Sequence, residues 1–363
     1  LDLALQRRAE EMFQEKVGAA VALDPANGHV LAMVSRPAFD PNAFVEGMSA
    51  EAWKALALNP FHPMRNKAIQ AQYPPGSTYK IITAAAGLEE GVIEDDTQHF
   101  CPGYYRYGNR TYRCWKRGGH GSVELIQAVA QSCDVFFYKV GEQLGVDALA
   151  EYAGGFGLGR PTGVDLDNEV SGLVPTQAWK LRKVGVPWQG GETLSVAIGQ
   201  GFNLVTPIQM ASLVAAVANG GVIYKPLLVE RIEDVNTGEV AVIESRDMGR
   251  LPVSDETLER VRKGLVAVVD TRRGTGRIAD IAGVSVAGKT GTAQVVAMGE
   301  RPDTDEEEKT PFRFRDHAWF VAFAPVEAPR IAVAVLVEHG GHGGSTAGPI
   351  AREMMETYLG GGD

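Results

Sequence analysis

The stretch AQYPPGSTYKIITAAAGLEEGVI runs from Ala71 to Ile93 and poses the first problem of the chain. A Pro-Pro-Gly breaker precedes a serine, a lysine follows three places on, and the remainder is small and apolar. The breaker, the apolar run and Gly91 predict a helix over 77–91. Positions i and i+3 share one helix face, so Ser77 and Lys80 point the same way. Ser77 then lies near a helix N-terminus, where free N–H groups and the helix dipole favour developing negative charge. A serine hydroxyl is a weak nucleophile and needs a base. A lysine serves if burial brings its pKa from about 10.4 to near 7, about 4 kcal/mol of differential stabilisation. Ile81, Ile82 and Ala84–Ala86 offer an apolar wall for part of that desolvation. Ser-x-x-Lys also arises by chance about once in a chain this long, although no other serine here has a lysine three residues on.

Two further stretches carry similar chemistry. In QSCDVFFY (131–138), Ser132 and Asp134 alternate around Cys133, so the two polar side chains can share a side. The competing reading is a helix start capped by Ser132 or Asp134. In VAGKTGTAQV (286–295), Lys-Thr-Gly-Thr sits in a β-patterned run. Alternation puts Lys289 and Gly291 on one side and Thr290 and Thr292 on the other. Gly291 lets another backbone or a substrate approach closely. Two hydroxyls beside a lysine suit a carboxylate; the competing reading is an ordinary edge strand.

Around these motifs the chain is of globular composition. It has 363 residues, 45% hydrophobic and 22% charged, with a formal net charge of −10. That length fits one large domain or two lobes. The acidic balance, without a long basic run, predicts no nucleic-acid partner. No run reaches the ~18 apolar residues of a membrane span. The chain begins without Met and reads as a soluble fragment of something longer.

The predicted elements are a helix over 2–16, a hairpin over 17–36 turning at Asn27-Gly28, and helices over 123–144, 205–219 and 255–270. The end of the chain carries three strands, in VSVAGKTGTAQVV, HAWFVAFAPV and RIAVAVLVEHG, then a helix over 348–359. Strands at both ends with helices between predict an α+β fold. An antiparallel sheet from residues 1–65 and 271–363 is flanked by helices, and 66–270 forms a mostly helical lobe. Residues 98–122 are Gly-rich, aromatic and irregular, a packed subdomain. RPDTDEEEK (301–309) reads as a solvated loop. HGGHGGS (339–345), beside His317, His339 and His342, reads as a Gly-rich strand-to-helix loop near the cleft.

Ser-x-x-Lys, Ser-x-Asp and Lys-Thr-Gly in this order match the motif set of penicillin-binding proteins and β-lactamases. YPPGST, EVSGLVPT (169–176), GQG (199–201), TPIQMA (206–211) and GKTGTAQ agree. Over nearly its whole length the chain resembles the transpeptidase domain of class B penicillin-binding proteins, most of all the penicillin-binding protein 2 subgroup. Asp134 stands where many relatives have asparagine; aspartate is common in that subgroup. The resemblance implies a peptidoglycan D,D-transpeptidase of cell-wall elongation. Ser77 attacks the D-Ala-D-Ala bond of a stem peptide and Lys80 takes its proton. Ser132, with Lys289, passes a proton to the leaving D-alanine. The N–H groups of Ser77 and Thr292 hold the oxyanion, and Thr290 and Thr292 hold the terminal carboxylate. A second stem peptide's amine then resolves the acyl-enzyme, and β-lactams acylate Ser77 in the same way. The alternatives in this fold are a β-lactamase and a β-lactam-sensing receptor domain. No Glu-x-x-Leu-Asn stretch of the kind that activates deacylating water occurs, and Glu169 comes nearest. The resemblance further implies a membrane helix and a pedestal domain outside this chain, and a periplasmic catalytic domain on the bacterial inner membrane. It also implies a membrane glycosyltransferase partner of the shape–elongation–division–sporulation family.

The three cysteines form a separate pattern, Cys101-x12-Cys114-x5-His120-x12-Cys133. Three thiolates and one imidazole match a closed tetrahedral zinc site. An extracytoplasmic protein is expected to oxidise thiols this close unless something holds them. A disulfide with one free thiol, three buried cysteines, or His99 in place of His120 remain open. Zinc on Cys133 would fix the backbone that presents Ser132 and Asp134, a structural role rather than a Lewis-acid one.

Overall fold

The structure, a computed structural model, describes residues 1–295 and 311–361. RPDTDEEEK lies outside the described residues. The two ends of the chain meet in one five-stranded sheet. Its order is Ala287–Ala293, His317–Ala324, Ile331–Val337, Gly18–Leu23 and Val30–Arg36, every pair antiparallel. The central strand Ile331–Val337 is buried at every position, because helices cover both faces. On one face lie Leu5, Ala9 and Phe13 of helix Leu3–Phe13, with Ile350, Met354 and Met355 of helix Gly343–Gly360. On the other, Trp319, Val321 and Leu336 join one core with Ile82, Phe137 and Met210 of the helical part. The alternation read for 289–292 holds: Lys289 pairs with Val321 and Gly291 with Trp319, whereas Thr290 pairs with Phe320 and Thr292 with Ala318.

Several elements differ from expectation, each for a local reason. The predicted helix 77–91 opens as a 3₁₀ turn, Gly76–Tyr79, before the α-helix Lys80–Glu89. The single helix over 123–144 is interrupted: Leu125–Ala130 ends before Ser132, and Asp134–Gly155 follows, itself kinked at Gly145 with φ +78°. Ser132 breaks it with φ +53°, a left-handed backbone no helix can contain. Cys133, not Ser132 or Asp134, is the N-cap, and it caps with no side-chain bond. Residues 98–122 pair as His99–Cys101 with Gly121–Val123, enclosing the hairpin Tyr104–Tyr107/Arg110–Arg113. Helix Asp255–Asp270 is capped by Ser254 and matches its predicted span.

The last helix starts at Gly343, so part of HGGHGGS is helix rather than loop. A Cβ on Gly343 would stand 2.3 Å from Gly291 O, and one on Gly344 2.7 Å from Thr275 O. The two glycines therefore let the helix start against the Lys-Thr-Gly strand. Among the described residues, no potential metal-binding group includes His317, His339 or His342.

Candidate active site

Ser77, half-buried, sits on the 3₁₀ turn, with Lys80 at its end and fully buried. The turn needs Gly76: its φ is +54°, and a Cβ there would stand 2.7 Å from Thr292 O. A Cβ on Gly291 would likewise stand 3.0 Å from Pro75 O. Two glycines thus let the turn that bears Ser77 and the edge strand lie against each other.

Ser132 joins the two lysines. Its Oγ accepts from Lys289 Nζ at 2.9 Å and from Lys80 Nζ at 3.2 Å. Lys80 also donates to Ser132 O at 2.9 Å and to Asp134 Oδ1 at 2.6 Å. Its three protons therefore have three acceptors, and none is Ser77. The apolar wall read from sequence is present, since Ile81, Ile82 and Ala84–Ala86 are buried. The sequence offers the charged Asp134, counted there among the catalytic residues, as a partner for Lys80 or Lys289; inside that wall it is Lys80 that it partners. Burial pushes the Asp134 carboxyl up, and Lys80 opposes that rise. Lys289 is the amine that burial drives well below its usual range, with Lys80's charge pushing the same way and Asp134 opposing.

On the edge strand, Gln200 Nε2 donates to Thr292 O at 3.1 Å. A strand residue's N–H and C=O point to the same side, so the Thr292 N–H faces off the open edge, alongside Gly76. Thr290 Oγ1 lies 2.8 Å from Thr275 Oγ1. Glu169 accepts from Thr162 N at 2.7 Å, Thr162 Oγ1 at 2.6 Å and Gly163 N at 2.9 Å. It closes a loop, and both its carboxylate oxygens are engaged in these bonds.

Cys101, Cys114, His120 and Cys133 also converge, their ligand atoms all within 4.8 Å of one another. His120 Nδ1 lies 3.6 Å from Cys101 Sγ and 3.5 Å from Cys114 Sγ. A sulfur at about 2.3 Å and a nitrogen at about 2.05 Å on tetrahedral directions would be about 3.55 Å apart. The donors therefore fit zinc. The hydrogen bond from Cys133 pulls the Cys114 thiol down to about 2, the same bond pushes Cys133 up, and burial raises Cys101. Three thiolates this close would require a cation at their centre. His99, the rival ligand, is outside the group, and its ring lies tilted at 57° against that of Phe136 instead.

Sequence reasoning missed Trp115, which follows Cys114. Its backbone N–H donates to Asp134 Oδ2 at 2.8 Å. Its Nε1 donates to Gln131 O at 3.0 Å and Ser132 O at 3.1 Å. It also missed Gln200 and Thr275, since neither residue type announces a contact 92 or 15 positions away.

Fold and site together define a class: a sheet-and-helix domain with a serine–lysine pair, a second serine bridging two buried amines, and a Lys-Thr-Gly edge strand. The chain belongs to the penicillin-binding protein transpeptidase family, the penicillin binding protein transpeptidase domain matching residues 18–356. It is 39% identical to the peptidoglycan D,D-transpeptidase MrdA of Haemophilus influenzae, over 99% of this chain and 55% of that protein. It thus spans about half the length of the curated relatives it matches. The crystal structure of Pseudomonas aeruginosa PBP2 in complex with WCK 5153 is similar at TM-score 0.86 and 38% identity, over 99% of this chain and 74% of that one. PBP2 of Helicobacter pylori, solved in complex with MreC, gives TM-score 0.86 at 33% identity, over 99% and 63%.

Proposed function

We propose that this chain is the catalytic domain of a peptidoglycan D,D-transpeptidase that cross-links stem peptides in cell-wall elongation and is acylated by β-lactams. The observation that carries it is the convergence of Lys80 and Lys289 on the Ser132 hydroxyl, beside the turn that bears Ser77. Ser77 Oγ attacks the penultimate D-alanine carbonyl. As a fully hydrogen-bonded ammonium Lys80 cannot accept a proton, so it first yields one to Asp134 Oδ1, its 2.6 Å neighbour, and then takes the Ser77 proton. The oxyanion is met by the N–H groups of Ser77 and Thr292, interactions worth several kcal/mol. Ser132, recharged from Lys289, protonates the leaving D-alanine, while Thr290 and Thr292 hold its carboxylate. An amine of a second stem peptide then releases the acyl group.

Zinc is the proposed occupant of the Cys101–Cys114–His120–Cys133 group, in a structural role. It would carry the negative charge of the thiolates and tie the Trp115 strap to the Ser132 loop. The chain would act outside the cytoplasm, in the periplasm at the bacterial inner membrane, as part of a membrane-anchored protein. Partners would be a membrane glycosyltransferase of the shape–elongation–division–sporulation family and, as for the Helicobacter pylori relative, MreC. No helix among the described residues is long and apolar enough to cross a membrane.

The test is intact-mass analysis before and after benzylpenicillin, with metal quantification. A single long-lived adduct mapping to Ser77, absent in Ser77→Ala, and about one zinc per chain are expected. Rapid loss of the adduct with continuing nitrocefin turnover would instead make the domain a β-lactamase. No adduct would leave a non-catalytic scaffold.

A further inference from the structure

Thr275 lies in the loop between helix Asp255–Asp270 and the edge strand, outside every motif that names this site. Two glycines fix it. A Cβ on Gly274 would stand 2.2 Å from Val268 O, and one on Gly276 2.8 Å from Val268 Cγ1. Gly276 N donates to Val268 O at 3.0 Å, and Gly274 N to Thr271 O at 2.9 Å. The Thr275 backbone N–H donates to Ala130 O at 3.1 Å, two residues before Ser132. Its hydroxyl has two neighbours: Ala130 O at 3.3 Å and Thr290 Oγ1 at 2.8 Å.

Each hydroxyl carries one proton and two lone pairs. The pair Thr275–Thr290 shares one hydrogen bond, and either oxygen can be the donor. If Thr290 donates to Thr275, its only proton faces away from the cleft and lone pairs meet an incoming carboxylate. If Thr275 donates to Thr290, the Thr290 proton is free to point at that carboxylate. Ala130 O is the alternative acceptor that holds the Thr275 proton when no anion is present.

We propose that Thr275 is a positioning residue for substrate recognition: its hydroxyl proton swings from Ala130 O to Thr290 Oγ1 and so turns Thr290 into a donor for the ligand's carboxylate. This rests on the reading of Thr290 as a carboxylate holder. It makes Thr275 a determinant of selectivity for acyl donors with a free carboxylate beside the scissile bond. A neutral amide there can donate to Thr290 itself and gains little from Thr275.

The experiment compares acylation rate constants for benzylpenicillin and its carboxamide, followed by intact mass, in wild type, Thr275→Val, Thr275→Ser and Thr290→Val. Wild type prefers the acid. Thr275→Val lowers that preference about five- to tenfold, the worth of one hydrogen bond between neutral groups, with the carboxamide rate within about twofold of wild type. Thr275→Ser keeps the preference. Should Thr275→Val not accumulate as folded protein, Thr275→Ala takes its place with the same expectation. A Thr275→Val that slows acid and carboxamide equally, or changes neither, overturns the proposal. If Thr290→Val abolishes the preference while Thr275→Val retains it, the Thr275 inference fails and the Thr290 reading stands. If wild type shows no preference, the Thr290 reading itself fails.

Discussion

Ser132 is held at φ +53°, a backbone conformation that costs a non-glycine residue about 1–2 kcal/mol. Its carbonyl accepts from Lys80 Nζ and Trp115 Nε1, and its hydroxyl from both lysines. The strain aims one hydroxyl between two amines. Only one of those amines has a carboxylate as its partner. Among the described residues Lys289 has none in hydrogen-bonding reach, and burial drives its pKa down, which suits the proposed proton donor to Ser132. Arginine cannot lose its proton. Lys289→Arg should therefore acylate with benzylpenicillin roughly 100-fold more slowly, and raising the pH from 6 to 9 should not restore the rate. The check is the second-order acylation constant across that range; a variant within threefold of wild type at pH 7 would sink the role. At this scale Ser77, Lys80, Ser132 and Lys289 were all legible, because each sits in a short motif whose residue types are chemically unusual together. Asp134 was legible as a charged partner beside Lys80 or Lys289, but which of the two it meets, a contact across 54 positions, was not. Thr275, flanked by two glycines, left only a weak trace: a Gly-Thr-Gly that no turn required.

Two helices stand where periodicity predicts one, and the break between them is where sequence reading of elements failed. Residues 123–144 look continuously helical because the apolar spacing carries through Ser132. What ends the first helix is tertiary: the Cys114–Trp115 strap pulls on Gln131 O, Ser132 O and Asp134 Oδ2. The two short hairpins of 99–123 exist to deliver that strap, and the convergence of Cys101, Cys114 and His120 on Cys133 closes it. Trp115→Phe keeps an aromatic ring, though a smaller one, and the backbone N–H, but removes the donor to two carbonyls. It should cost about 1–2 kcal/mol of stability and slow acylation several-fold without abolishing it, read from urea midpoints and fluorescent-penicillin kinetics. Cys133→Ser should lose the metal and slow acylation more, about tenfold or beyond, while the Ser77 adduct still forms, since the nucleophile sits on a separate turn. Unchanged kinetics in a metal-free Cys133→Ser would remove the link between the cysteine group and the Ser132 loop.

Across the molecule, the sheet of both chain ends was legible because its strands are apolar runs bounded by Gly, Pro and charge. The placement of the helical part on that sheet was not, since side chains that meet across it come from distant elements. His317 lies at such a junction. Its ring is 5.4 Å from that of Tyr73, which enters the helical part, and 4.9 Å from that of His339 beyond the central strand. Tyr73 OH donates to Glu338 at 2.6 Å, and His339 N donates to His317 Nδ1 at 3.0 Å. Burial, then the neighbouring His339, takes the His317 pKa down to about 4 from 6.5. The folded state thus resists a proton that the unfolded chain binds from about pH 6.5 downward. Between those two values the unfolded state holds more protons, so stability rises with pH there. His317 accordingly costs nothing above pH 7, and its penalty grows to about 3 kcal/mol as pH falls to 4. Asparagine at 317 keeps an acceptor for His339 N and does not titrate. Wild type should lose about 2.5 kcal/mol more than His317→Asn between pH 7.5 and pH 4.5, measured as urea-unfolding free energies, while carboxylates common to both cancel. Equal losses in the two proteins would mean that His317 takes up its proton in the fold as readily as in the unfolded chain, and that this junction does not set the acid limit of the domain.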